Sequence, residues 1–212
     1  MRLTPFVPAA FAAALLASCA GGPSSVDCTA IDWTALGFDD GSSGAGPGMF
    51  DQRTDACANP VDSAYFAAYS AGREEGLKTY CSSSGGFAAG RKGEEYSGAC
   101  DLESELQFLE SHALGLKLFA LTEAGEKAVR DYEAAISDLD QHRYLLRVSE
   151  KRYSKPSISN EDREQERQDA EFRRREIARI EGKLTEMLSE IEKTRAALEA
   201  YRIELLTMGL EL

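Results

Sequence analysis

Four cysteines, Cys28, Cys57, Cys81 and Cys100, carry the plainest chemistry in this sequence. Such thiols can pair as disulfides, ligate zinc or act as nucleophiles. Zinc sites draw on closely spaced pairs, whereas the separations here are 29, 24 and 19 residues, without a CxxC or a nearby histidine. A serine or cysteine nucleophile needs a base, yet no histidine lies between 28 and 100 and no GxSxG occurs. Asp32, Asp39, Asp40, Asp51, Asp55 and Asp62 are candidate acids and bases, but so many carboxylates single out no pair. His112 and His142 come later, on predicted helices, with no metal-ligating partner at useful spacing. The expectation is therefore no catalytic residue, no metal and no cofactor, with the four cysteines forming two disulfides that brace a segment of 73 residues.

The elements that bring these cysteines together are read from glycine and aromatic spacing. Gly37 with Gly41, Gly72 with Gly76, and Gly86 with Gly90 are each four apart. On a helix that spacing makes a flat strip where another backbone can approach closely. Trp33, Tyr65, Tyr69, Tyr80 and Tyr96 are the side chains to fill the spaces between such short elements. The segments FAAYSAGREEGLKTYC and FAAGRKGEEYSGAC share FAA, AGR and a final cysteine, with DWTALGFDDG a fainter third copy. GSSGAGPG, 41–48, reads as a connection before a short helix, MFDQRTDACA. GGFAAGRKG lacks both the GxGxxG order and a GKS/T ending, so a nucleotide site is not indicated. If 63–80 and 86–97 form an antiparallel pair, Cys81 and Cys100 fall at opposite ends. That favours Cys57–Cys100 with Cys28–Cys81 among the three connectivities, and the other two stay open.

The first residues, MRLTPFVPAAFAAALLASCA, combine one positive charge, an apolar run too short to span a bilayer, and small residues before Cys19. This reads as a signal peptide over 1–18, and Leu16-Ala17-Ser18-Cys19 looks like a bacterial lipobox. The expectation is cleavage before Cys19, acylation of its thiol and amino group with palmitate-type chains, and a lipidated linker over 19–27. Ala20 after the cysteine fits an outer-membrane lipoprotein facing the periplasm. Cleavage would leave 23 basic and 36 acidic residues, a net charge of −13, which argues against nucleic acid as a partner.

The series Cys28, Asp32-Trp33, Gly37, Asp40-Gly41, Tyr69, Gly72-Arg73, Gly76-Leu77, Tyr80-Cys81, Gly86, Gly90, Gly93, Tyr96 and Cys100 resembles an uncharacterised family of Gram-negative lipoproteins grouped by a domain of unknown function. The resemblance covers roughly the first half of the chain. It implies one envelope domain and supplies no activity.

From Asp101 glycine thins, cysteine vanishes and charged residues alternate with Leu, Ile and Ala. Leu102, Leu106, Leu109, Ala113, Leu116 and Ala120 advance by steps of four and three, and Ala128, Tyr132, Ala135, Leu139, His142 and Leu146 resume the pattern after a shift near Gly125. A second series runs Ile177, Ile180, Leu184, Met187, Ile191, Thr194, Leu198, Tyr201, Leu205, Met208, Leu212. Pro156 in KRYSKPSISN forbids a continuous helix, and Ser159 or Asn160 can cap the next one. Two helices of about 50 residues, each about 75 Å long, therefore fold back as an antiparallel hairpin. Residues 143–179, spanning the turn, hold 11 basic and 8 acidic residues, against 7 and 17 in the rest of the arm. Arg173, Arg174 and Arg175 are thus candidates to meet an anionic partner.

The expected molecule is mainly α: a disulfide-stapled helical module over 28–100, then a coiled-coil-like hairpin over 101–212. The expected role is a non-catalytic, lipid-anchored envelope protein that holds a protein partner, or another copy of itself, through the helical arm. The alternative is a carbohydrate or small-ligand binding module using Trp33, Arg73, Arg91 and the tyrosines, and an envelope enzyme comes third.

Overall fold

The computed structural model describes residues 26–210. The expected signal peptide, Cys19, most of the 19–27 linker and Leu212 lie outside the described residues. A 3-10 turn, Cys28–Ala30, precedes α1 (Trp33–Ser42), α2 (Met49–Thr54), α3 (Ser63–Tyr80), α4 (Ser83–Gly90), α5 (Glu105–Tyr153) and α6 (Asn160–Thr207), with no strand among the described residues. The expected mainly helical fold, with two disulfides followed by a long hairpin, is the observed one. Contacts gather into two compact units that divide between Gly76 and Leu77, inside α3, whereas composition changes at 100/101.

In the first unit, Asp32 caps α1 by accepting the Ala35 N–H at 3.0 Å. The following Trp33 is buried with Cys28, Phe50 and Tyr69, and its indole N–H donates to the Cys28 carbonyl at 3.1 Å. Tyr65 stacks on the indole at 5.5 Å. The Cys28–Cys57 bridge closes this core, beside backbone bonds from Val26 to Ala56 and from Ala58 to Val26 at 2.7 and 2.9 Å.

In the second unit, Ser82 caps α4 through the Gly85 N–H at 3.0 Å. α4 stops at Gly90, with a left-handed turn at Gly93 (φ 74°), short of the expected end near 97. The Cys81–Cys100 bridge adjoins a core of Tyr80, Cys81, Ala89 and Phe108. α5 and α6 form the hairpin. Pro156 lies in the turn and Ser159 is the cap, accepting the Asp162 N–H at 3.0 Å. Arg163 clamps the turn by donating to the carbonyls of Tyr153 and Lys155. Leu139, Ala170, Ile180, Tyr201 and Leu205 are buried along the seam. Leu114 and Leu121 pack on the cluster of Phe87, Leu118, Tyr201 and Leu205, and the Tyr201 hydroxyl donates to the Leu114 carbonyl at 3.0 Å.

Two further expectations are corrected. The cysteines pair 28–57 and 81–100, each with Cα atoms 5.5 Å apart, not 57–100 and 28–81. The reason is that the segment 63–80 packs on α1, and α4, which ends at Gly90, packs on α5. The register at the start of the arm also differs. Leu102, Leu106, Leu109, Ala113, Leu116 and Ala120 are all exposed, while Phe108, Ser111, His112, Gly115 and Leu118 are buried. The later series, 128–146 and 177–205, does line the seam, although Met208 is exposed.

Candidate functional site

The glycine strips find their partners in two helix crossings of the same design. A Cβ on Gly37 or Gly41 of α1 would come within 2.0 or 2.3 Å of the Tyr69 or Arg73 carbonyl oxygen of α3. Gly72 and Gly76 reciprocate, with Thr34 O and Phe38 O at 1.9 and 2.3 Å. Between α4 and α5, Gly86 and Gly90 meet Phe108 O and His112 O at 2.3 and 2.1 Å, and Gly115 meets Phe87 O at 2.4 Å. No side chain fits in any of these places, which is why glycine is tolerated there despite costing a helix about 1 kcal/mol relative to alanine.

Superposing the roles aligns Gly37-Phe38-x-x-Gly41 with Gly86-Phe87-x-x-Gly90, and Tyr69, Arg73 and Gly76 with Phe108, His112 and Gly115. The turns that follow agree too: Gly44 and Gly93 have φ of 70° and 74°. Arg73 donates to the Ala45 carbonyl at 2.8 Å, and His112 Nε2 lies 2.7 Å from the equivalent Glu94 carbonyl oxygen. The chain contains two copies of one crossing. The self-similarity read from FAA and AGR matched the wrong segments: α1 corresponds to α4, and α3 to the start of α5. Gly115 escaped the sequence reading, although the recurring Gly-Phe-x-x-Gly marks its partner strip.

The copies differ in one respect that bears on chemistry. In the first, Asp40 is buried at 4% exposure. Its carboxylate accepts from Arg53 Nη2 at 2.7 Å, Arg53 Nε at 3.2 Å and the Tyr69 hydroxyl at 2.9 Å. Burial pushes this carboxyl upward, but the bonds from Arg53 and Tyr69 and the nearby arginine charges outweigh it, and the group is held below the usual value. Burial, and then the hydrogen bond to Asp40, pushes the Tyr69 hydroxyl up to about 12. In the second copy Ala89 and Phe108 take those places, and no carboxylate stands there. Asp40 is thus fixed in its ionised form and its two oxygens are engaged from within the chain, an arrangement suited to bracing α1, α2 and α3 together. Arg53, missed in the sequence reading, is its main partner.

The remaining sequence-predicted residues do not converge. Trp33 is 4% exposed, in the core, so it is no surface residue. Tyr69 and Tyr80 are buried as well. Arg73 is half-buried at the first crossing, while Arg91, the cap residue at the end of α4, is exposed. Along the arm Arg173 turns inward to His142 Nδ1 at 3.3 Å, Arg174 pairs with Glu150 at 2.7 Å, and only Arg175 of the three stands fully outward. His112 stacks on Phe108 with ring centroids 5.6 Å apart. Among the described residues no group of His, Cys, Asp or Glu is placed to hold a metal ion, and no helix is long and apolar enough to cross a membrane.

What does stand out on the surface is the leucine stripe of α5. Leu106, Leu109, Ala113, Leu116 and Ala120 follow one another at heptad spacing on a solvent-facing side, extended by Leu102 just before the helix. The opposite sides of these turns are occupied by α4 and α6.

The fold is a pair of glycine-packed, disulfide-braced helix crossings whose last helix runs on into a hairpin. Residues 32–117 match the family model described as Protein of unknown function (DUF2799). The match includes both crossings and ends just after Gly115. No curated protein and no solved structure matches the chain.

Proposed function

We propose that this is a non-catalytic, lipid-anchored protein of the cell envelope that works by holding a protein partner. The observation that carries the reading is the exposed leucine stripe of α5, an apolar face with the spacing of a helix-packing seam and, among the described residues, no helix over it. Supporting it, the most perturbed ionisable pair, Asp40 and Tyr69, is satisfied internally by Arg53, a bracing arrangement rather than a reactive one. The two disulfides accord with an oxidising compartment outside the cytosol. The lipobox-like Leu16-Ala17-Ser18-Cys19 supplies the anchor, and the outer membrane facing the periplasm is the address that Ala20 favours.

A photo-crosslinking residue at Leu109 or Leu116, introduced into the full chain in intact cells, tests the partner. Discrete protein adducts at these positions, absent when the probe is moved to Glu181 on α6, are the expected result. Labelling that is no stronger at the stripe than at the control position defeats the reading. For the anchor, Cys19→Ala should move the protein from the membrane to the soluble fraction, and unaltered fractionation would refute lipidation.

A further inference from the structure

We propose that the stripe on α5 is a self-complementary seam on which a second copy of this chain docks antiparallel. The proposal rests on the reading of α5 as an interaction face and names its occupant. In heptad terms Leu106, Ala113 and Ala120 take one seam position and Leu102, Leu109 and Leu116 the other. When two such helices run antiparallel about a two-fold axis near Ser111, every seam residue meets a seam residue. Leu106 faces Leu116 of the other copy, Leu109 faces Ala113, and Leu102 faces Ala120, so large and small side chains largely alternate across the contact. A closed two-fold pair of this kind uses the same patch twice and leaves none over.

Charge chooses the direction. Glu110 and Lys117 flank the stripe on one side, seven residues apart, and Glu105 flanks the other. The antiparallel alignment sets Glu110 of each copy against Lys117 of its mate, two opposite-charge pairs related by the axis. A parallel alignment instead sets Glu105 against Glu110, acid against acid. Lys117 lies over the Tyr201 ring at 3.9 Å and 3.7 Å from Glu204, and its side chain is still 56% exposed, at the edge of the stripe. The buried side of α5 here, with Phe108, His112 and Gly115, is committed to α4, so docking need not disturb the crossing.

The test is native mass spectrometry of the full chain released from detergent, counting chains per complex over a micromolar concentration series. The wild type is expected as a dimer. Leu116→Arg should weaken it at least ~10-fold, the scale of a buried unpaired charge in a seam, with unchanged helical circular dichroism because Leu116 is already exposed. Glu110→Lys alone and Lys117→Glu alone should each weaken self-association. Mixed together, the two variants should form a heterodimer, since both flanking contacts then set a lysine of the first variant against a glutamate of the second. A monomeric wild type, a dimer indifferent to Leu116→Arg, or a mixture that forms no heterodimer overturns the proposal. A monomer that still gives crosslinks to a different protein at Leu109 overturns self-docking and leaves the broader interaction reading standing.

Discussion

The Tyr69 hydroxyl donates to the Asp40 carboxylate across 2.9 Å, joining α3 to α1 in the core of the first unit. The two groups depart from their ordinary values in opposite directions, and each departure limits stability on its own side of the pH scale. Tyr69 is raised, so its contribution is whole below pH 10.0 and is lost as pH climbs toward about 12. Asp40 is lowered, so its contribution is whole above 3.8 and is lost as pH falls through its lower folded value. The chain's one tryptophan, Trp33, sits in this core, so its fluorescence reports this unit. Denaturant midpoints followed by Trp33 should fall at both extremes. Tyr69→Phe should abolish the fall above pH 10.0 and, by removing a hydrogen bond to a charged acceptor, cost about 1.5–3 kcal/mol near neutrality.

Glycine substitutions separate backbone contact from helix propensity. Gly72→Ala places a methyl carbon 1.9 Å from Thr34 O and must force α1 and α3 apart. A loss of about 3 kcal/mol or more is expected, at the upper end of overpacking costs. Gly182, on α6, has nothing within 4 Å of an added Cβ. Gly182→Ala should therefore stabilise the arm by about 0.5–1 kcal/mol. Equal effects of the two changes in thermal or chemical unfolding would contradict the crossing.

Non-reducing peptide mapping should return the links 28–57 and 81–100. Replacing Cys81 and Cys100 together by serine should cost about 2–5 kcal/mol, read from the second unit by the near-ultraviolet signal of Tyr80 and Tyr96 and not from Trp33. Recovery of a 57–100 peptide would reinstate the discarded helix pair.

Adjacent leucines on α6 offer a paired comparison. Leu205 is fully buried against Phe87, Leu118 and Tyr201, whereas Leu206 is 58% exposed. Leu205→Ala should cost about 2–5 kcal/mol, and Leu206→Ala about 0.5 kcal/mol or less. Urea midpoints of the two variants decide it.

The hairpin was legible because its signals are local: Pro156 ends one helix, Ser159 starts the next, and the apolar series on either side are long. The glycine strips were legible as strips, since spacing alone creates them. Which strip meets which was not, because that is set by contacts between residues far apart in sequence, such as Gly72 with Thr34 and Gly115 with Phe87. The disulfide pairing failed for the same cause, having been inferred from a helix 86–97 that in fact ends at Gly90 and packs on α5. At the start of α5, periodicity announced an apolar face at Leu106, Leu109 and Leu116, but periodicity is silent on whether anything covers it. Small residues did the opposite: Gly115 is buried because α4 comes so near, Ser111 is buried one turn before it, and nothing in their own character advertises an interior position.

Both sulfur bridges join cysteines that are neighbours in the order of the sequence, and the span of one closes before the other opens. With Cys19 occupied by the proposed acylation, a chain that enters an oxidising space from its N-terminus, and is oxidised as it emerges, reaches the native links by taking the remaining thiols in order of arrival. Thiol exchange to undo a wrong link has little to correct. Maturation of this domain should thus need an oxidant and make small demand on an isomerase.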